Sequence, residues 1–175
     1  MKETVEFLND SAVILASDNQ HEEAVASLRK GLLIDPYNST LWLNLALSYR
    51  ALNRLEDARN ALFQAVKGNL LDVDILDTLG VVLHEMGEDA ASEEVYQNAL
   101  EISPGNGRVW NNYGVLFFSQ GKYREACQSF EKAITLIPDF DDALYNLRDT
   151  YEALGKIEET EKCTAMIEKR QAARS

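Results

Sequence analysis

The side chains most often recruited for chemistry are few here: two histidines and two cysteines, among 29 acids in 175 residues. Histidine serves as general base or metal ligand, cysteine as nucleophile or soft ligand, and paired carboxylates as acid and base. His21 stands in Gln20-His21-Glu22-Glu23-Ala24, a run that suits the first turn of a helix, where acids complement the dipole. A solvated position is expected of it. His84 precedes Glu85 and can pair with a nearby acid. Neither completes a His-Glu-x-x-His motif or a Cys–His nucleophile pair, and no Gly-rich phosphate loop occurs. Cys127 and Cys163 have no metal-ligand spacing around them. They read as two small residues on helices, with a thiol switch or a disulfide as the alternative. Carboxylate pairs abound, but 29 acids guarantee them by chance. The expectation is a chain that is not an enzyme and takes no cofactor and no metal.

Charge excludes further classes. With 17 Lys+Arg against 29 Asp+Glu the net charge is −12, which repels nucleic acid and anionic membrane surfaces.

The elements that position these residues follow a period. Asn19, Asn53, Gly87, Gly121 and Gly155 are each 34 residues apart, and Asn and Gly enter the left-handed helix stop most cheaply. Units therefore run 5–38, 39–72, 73–106, 107–140 and 141–174 without insertion. Places 4, 7, 8 and 11 of the fourth unit are Trp110, Tyr113, Gly114 and Phe117, one face of a 3.6-period helix, and the other units follow suit. A second stripe holds Ala126, Phe130 and Ala133 at places 20, 24 and 27. Large residues on one helix against small ones on the other allow two antiparallel helices to interdigitate. Pro36, Pro104 and Pro138 all fall at place 32, where proline halts the second helix. The fold class is all-α, an α-solenoid of antiparallel helix pairs. No Gly/Ser/Pro-rich linker interrupts it, so residues 1–175 are expected to form one domain.

This pattern resembles the tetratricopeptide repeat family, with Trp110, Tyr113, Gly114, Ala126, Phe130, Ala133 and Pro138 at its signature places. The last unit departs most, with Arg148, Thr160, Thr164 and Ile167 at those places, and suits a polar terminal cap. The resemblance implies a right-handed superhelix whose first helices line a concave groove, with places 2, 5, 6, 9, 12 and 13 facing it. Peptide-binding candidates are then Asn44, Leu47, Arg50, Asp74, Asp77, Val81 and His84, followed by Arg108, Asn111, Asn112, Val115, Phe118, Tyr145 and Asn146. No window of three successive units supplies the full set of lysine, asparagine and arginine with which some co-chaperones of the family grip a terminal carboxylate. Asparagine recurs at place 6 instead, in Asn44, Asn112 and Asn146, and is similar to the asparagine ladder of O-linked N-acetylglucosamine transferases. A carboxamide offers both donor and acceptor to a peptide backbone. Asp10 and Thr78 interrupt that row.

The groove places carry eight acids and two bases, and no Lys or Arg lies between Asp74 and Glu101, so a basic or mixed-charge protein or peptide is the expected partner. At the amino end Phe7 and Ile14 occupy places that later units cover with a preceding repeat, which predicts a weak homodimer through the first helix. No run of 18 apolar residues spans a membrane, the start Met1-Lys2-Glu3-Thr4 is not a secretory signal, and two reduced thiols suit the cytoplasm. The function expected is a non-catalytic interaction module that binds a peptide in its groove. The alternatives are a structural assembly protein joined through its first helix, or a regulatory segment of a larger enzyme.

Overall fold

Asn19 and Asn53 adopt φ of 62° and 57°, and Gly87, Gly121 and Gly155 adopt 77°, 72° and 70°, so all five expected stops are left-handed. At each, the next residue's N–H reaches back five positions, as from Gln20 to the Leu15 carbonyl at 2.8 Å and from Lys122 to Phe117 at 2.9 Å. These are Schellman turns, which satisfy carbonyls that the helix end would otherwise orphan.

The computed structural model describes residues 3–174, among which ten α-helices and no strand occur. The first helices are α1 (Val5–Ser17), α3 (Ser39–Ala51), α5 (Val73–Glu85), α7 (Gly107–Ser119) and α9 (Asp141–Ala153), each of 13 residues. The second helices are α2 (His21–Ile34), α4 (Leu55–Gly68), α6 (Asp89–Ile102), α8 (Tyr123–Leu136) and the longer α10 (Ile157–Arg174). The residue before α1, α3, α5 and α7 is Thr4, Asn38, Asp72 or Asn106, and each side chain accepts a first-turn N–H. Phe140 breaks this series before α9 and provides no such bond. Trp42 and Trp110 donate their indole N–H to the carbonyls of Pro36 and Pro104, at 2.8 and 2.9 Å, tying each first helix to the turn that precedes it.

The chain divides into two compact units, one ending at Val95 and the other beginning at Tyr96. In the first, α1 packs on α2 and α3, and α3 on α4 and α5. Its core includes Leu28, Leu41, Leu45, Leu62, Ile75 and Leu79, all buried. Gly31 is small because a Cβ there would lie 3.0 Å from Leu41. In the second, α7 pairs with α8, α9 packs on α8, and α10 on α9. Gly114 lies against the Phe130 ring, 2.6 Å from where its Cβ would be, which realises the large-against-small pairing that places 8 and 24 predict.

The places where the last unit departs from the pattern are accommodated locally. Thr160 and Thr164 turn their hydroxyls onto the carbonyls four residues earlier, at 2.8 and 2.9 Å, and Ile167 is buried. Arg170 anchors α10 to the start of α9, donating to Asp141 at 2.8 Å and to the Pro138 carbonyl at 2.5 Å, and Arg174 also reaches Asp141. These two guanidiniums hold the Asp141 carboxyl below its ordinary range.

Candidate functional site

Two pairs of first helices, α1 with α3 and α7 with α9, are joined through their fifth and sixth places. Asn44 Nδ2 donates to Asn9 Oδ1 at 2.7 Å, and Asn146 Nδ2 donates to Asn111 Oδ1 at 3.0 Å. Asn111 in turn donates to Asn112 Oδ1 at 3.2 Å, so the second compact unit holds a chain of three carboxamides. Where place 5 is Leu43 the contact has no acceptor, and the Thr78 hydroxyl turns back to the Asp74 carbonyl at 2.8 Å. Of the place-6 row, Asn44 and Asn146 therefore belong to inter-repeat pairs, while Asn112 accepts from Asn111 of its own helix. The sequence signal for these pairs was Asn at place 5 of one unit and place 6 of the next. Among the described residues the pairing leaves Oδ1 and one N–H of Asn44 and Asn146 without a partner.

Each oriented carboxamide sits on a cavity. The first, of about 190 Å³, is bounded by Val13, Ala16, Leu28, Asn44 and Leu47. The second, of about 90 Å³, is bounded by Val115, Phe118, Phe130, Asn146 and Asp149. Residue by residue these are the same places, 102 positions apart. Phe118 fills volume that Ala16 leaves open, and Asp149 sets a carboxylate where Leu47 is apolar. His21 was expected to be solvated. It is half-buried on the wall of the first cavity, with Nε2 3.3 Å from Asn19 Oδ1 and a buried, unpartnered Nδ1.

Leu47 also borders a wider opening of about 540 Å³ that includes Arg50 and Glu85. Arg50 grips Glu85 with Nε at 2.9 Å from both oxygens and a second nitrogen at 2.5 Å. The groove charge on α3 is thus neutralised within the chain. His84 Nδ1 lies 2.7 Å from Asp89 Oδ1, so its acid is the first residue of α6 rather than Glu85. Asp74 is exposed and Val81 half-buried, whereas Asp77 is buried at 9% exposure and offers little surface to a ligand. On α7, Arg108, Val115 and Phe118 are exposed, Asn112 is half-buried and Asn111 is buried, its carboxamide serving its neighbours. Tyr145 on α9 accepts from Gln171 at 2.8 Å and lies under Arg148, which also pairs with Asp149 at 2.6 Å.

Phe7 and Ile14 are 59% and 62% exposed, while Leu41, Ile75 and Val82 at the same places of the next units are buried. Burial pushes the Cys127 thiol up to about 11 and raises that of Cys163 as well, which favours the protonated form of both. Among the described residues no group of three His, Cys, Asp or Glu side chains could hold a metal ion, and no helix is long and apolar enough to cross a membrane.

Several known proteins are similar to this chain. The chain is 27% identical over 143 residues to a BBSome complex member BBS4 homolog of Drosophila melanogaster, a match covering 81% of the chain and 29% of that protein. The chain spans less than half the length of the curated relatives it matches. Among solved structures, PilW, a widely conserved type IV pilus biogenesis factor, superposes with a TM-score of 0.89 at 20% identity, over 98% of this chain and 80% of that one. YrrB, described as a TPR protein with an unusual peptide-binding site, superposes with a TM-score of 0.67 at 22% identity, over 92% and 83%. Family models described as tetratricopeptide repeat match residues 15–72, 73–106 and 95–128, and one described as TPR repeat matches 114–155. The third of the 34-residue units coincides with the match at 73–106, and the chain belongs to the tetratricopeptide repeat family.

Proposed function

We propose that the chain is a protein-interaction scaffold that holds an extended segment of another protein against its first helices and performs no catalysis itself. The observation that supports this most is the recurrence of one site, a small cavity with an oriented carboxamide at its rim, in each compact unit. An extended segment presents backbone N–H and C=O groups whatever its sequence, and side chains alternate along it. In each compact unit the oriented amide, Asn44 or Asn146, retains one acceptor and one donor for such a backbone, while the cavity beside it takes a side chain. Because Asn9 and Asn111 already fix the two amides, little rotamer freedom is lost on binding. Val13 and Leu47 suit an aliphatic side chain in the first cavity, and Asp149 suits a small or cationic one in the second. The exposed acids Glu6, Asp10 and Asp74 favour a basic or mixed-charge partner, and two buried reduced thiols accord with a cytoplasmic setting.

The test is binding. Peptides selected from a random display library on the wild-type chain are titrated against Asn44→Ala plus Asn146→Ala, with folding checked by circular dichroism. A loss of about tenfold or more in affinity is expected from two removed hydrogen bonds of about 1 kcal/mol each. An unchanged affinity removes the groove reading.

A second reading, self-association through α1, rests on the exposure of Phe7 and Ile14 where later units bury the same places. It is compatible with the first, since α1 presents Phe7 and Ile14 on a face other than the one carrying Asn9 and Val13.

A further inference from the structure

Tyr49 and Tyr151 hold the same place in their repeats, 102 residues apart, and each ring lies under a cation, Arg54 at 4.5 Å and Lys156 at 5.2 Å. Their hydroxyls differ. Tyr151 donates to Glu131 Oε1 at 2.5 Å, a carboxylate on the preceding second helix, α8. In the first compact unit the residue at Glu131's place is Arg29 on α2, which is itself a donor. Neither the Tyr49 hydroxyl nor Arg29 has a partner among the described residues. The other three arginines of that unit, Arg50, Arg54 and Arg59, all pair with acids. Two donors therefore border one cleft whose own acceptors, on Asp57, Asn60 and Gln64, bond to neither, and the Asp57 carboxylate is already held by Arg54 at 2.8 Å.

That cleft lies between α2 and α4 and has a volume of about 480 Å³, with Leu32, Trp42 and Leu45 among its walls. Leu33, at its rim, is 84% exposed, and Tyr37 just beyond α2 is 87% exposed. We infer that this cleft is a second docking site, on the second-helix side, for a protein segment bearing a large apolar side chain beside a carboxylate. The carboxylate takes the role toward Tyr49 that Glu131 takes toward Tyr151, and accepts from Arg29 as well. Such charge-assisted bonds are stronger than neutral ones. In a chain of net charge −12, most of the surface repels an acidic segment, so Arg29 localises it here. The groove of the first helices has the opposite preference, and the two faces would recruit different partners.

Short Gly/Ser peptides carrying Phe-Glu, Phe-Gln or Ala-Glu, titrated into the full ¹⁵N-labelled chain, test the assignment through the Trp42 indole N–H. The Phe-Glu peptide is expected to shift that resonance and to bind about fivefold tighter than Phe-Gln, the upper reach of one exposed ion pair. Tyr49→Phe and Arg29→Gln should each reduce this preference, and Arg29→Glu should abolish it, while Asn44→Ala leaves it intact. Absence of any Trp42 shift at about 1 mM Phe-Glu peptide overturns the site, since weaker binding has no specificity to explain. So does equal binding of Phe-Glu and Phe-Gln, or an Arg29→Glu variant that binds like the wild type. Free 3-phenylpropionate binding as tightly as the peptide would replace the protein segment by a small acid and equally overturn it.

Discussion

Asn44 reaches back 35 residues to Asn9 at 2.7 Å, one residue more than the repeat, and Asn146 makes the same bond to Asn111 at 3.0 Å. Arg50 and Glu85 are also 35 apart. Within each compact unit neighbouring first helices thus meet one residue out of register, which brings place 5 against place 6 and, between α3 and α5, place 12 against place 13. The groups proposed to hold a ligand are in this way also contacts between repeats.

Asn44→Ala should therefore cost stability as well as binding, by about 1 kcal/mol, the usual net worth of a side-chain hydrogen bond. Asn9→Ala should cost a similar amount, and the double variant little more, because both remove one bond. Urea titrations of the four proteins give the coupling. Additive losses would mean that the two amides do not act together.

Gly114 and Gly121 should respond to alanine for different reasons. At Gly114 the new methyl meets the Phe130 ring at 2.6 Å, and overpacking of this kind costs about 1–3 kcal/mol. At Gly121 there is open space but φ is +72°, so the cost is about 1–2 kcal/mol of left-handed strain. Gly121→Asn should recover most of that second loss, as Asn19 and Asn53 already hold the same turn. Thermal or urea unfolding separates the cases, and an Asn variant no better than Ala would contradict the turn argument.

The thiols give a pH signature. Burial first, then the nearby Glu131 carboxylate, pushes Cys127 from 9.0 up to about 11. A folded-state pKa above the unfolded value favours the protonated folded form. That stabilisation is complete below about pH 9 and is lost as pH rises toward 11. Urea midpoints should fall across this window, and Cys127→Ala should flatten the fall. Thiol reagents should modify the native chain at neutral pH only as fast as it unfolds. Rapid labelling of folded protein would show the sulfur to be accessible.

The helices and their stops were legible because their causes are local. A left-handed residue at Asn19 or Gly155, a proline at place 32 and a 3.6-period stripe each act within one unit. The large-against-small contact of Phe130 with Gly114 was legible for the same reason, as both sit in one helix pair. The candidate site was only partly legible, because it is made between units. The one-residue offset that joins Asn44 to Asn9 depends on how α3 lies on α1, which periodicity does not encode. Asp77 occupies a place assigned to the groove yet is buried, and His21 lies on a cavity wall although its neighbours read as a solvated first turn. Arg29 attracted no notice in sequence, since its meaning lies in the contrast with Glu131 three units away.

The last prediction concerns the open face of α1. Leu41 and Ile75 are buried by the repeat before them, whereas Phe7 at the same place is 59% exposed and Ile14, seven residues on, is 62% exposed. Burying a side chain of this size stabilises by about 1.5–3 kcal/mol, so two copies meeting through α1 gain from four such residues. Against this stands Asp10, exposed between the two, which would approach its own copy and weaken the pair. A weak dimer is the expected balance, strengthened by Asp10→Asn and abolished by Phe7→Glu plus Ile14→Glu, with the monomer remaining folded. Light scattering across concentration reads the result. A wild-type chain that stays monomeric to about 1 mM, where the association energy would be no more than about 4 kcal/mol, would remove self-association and leave the groove as the reading to pursue.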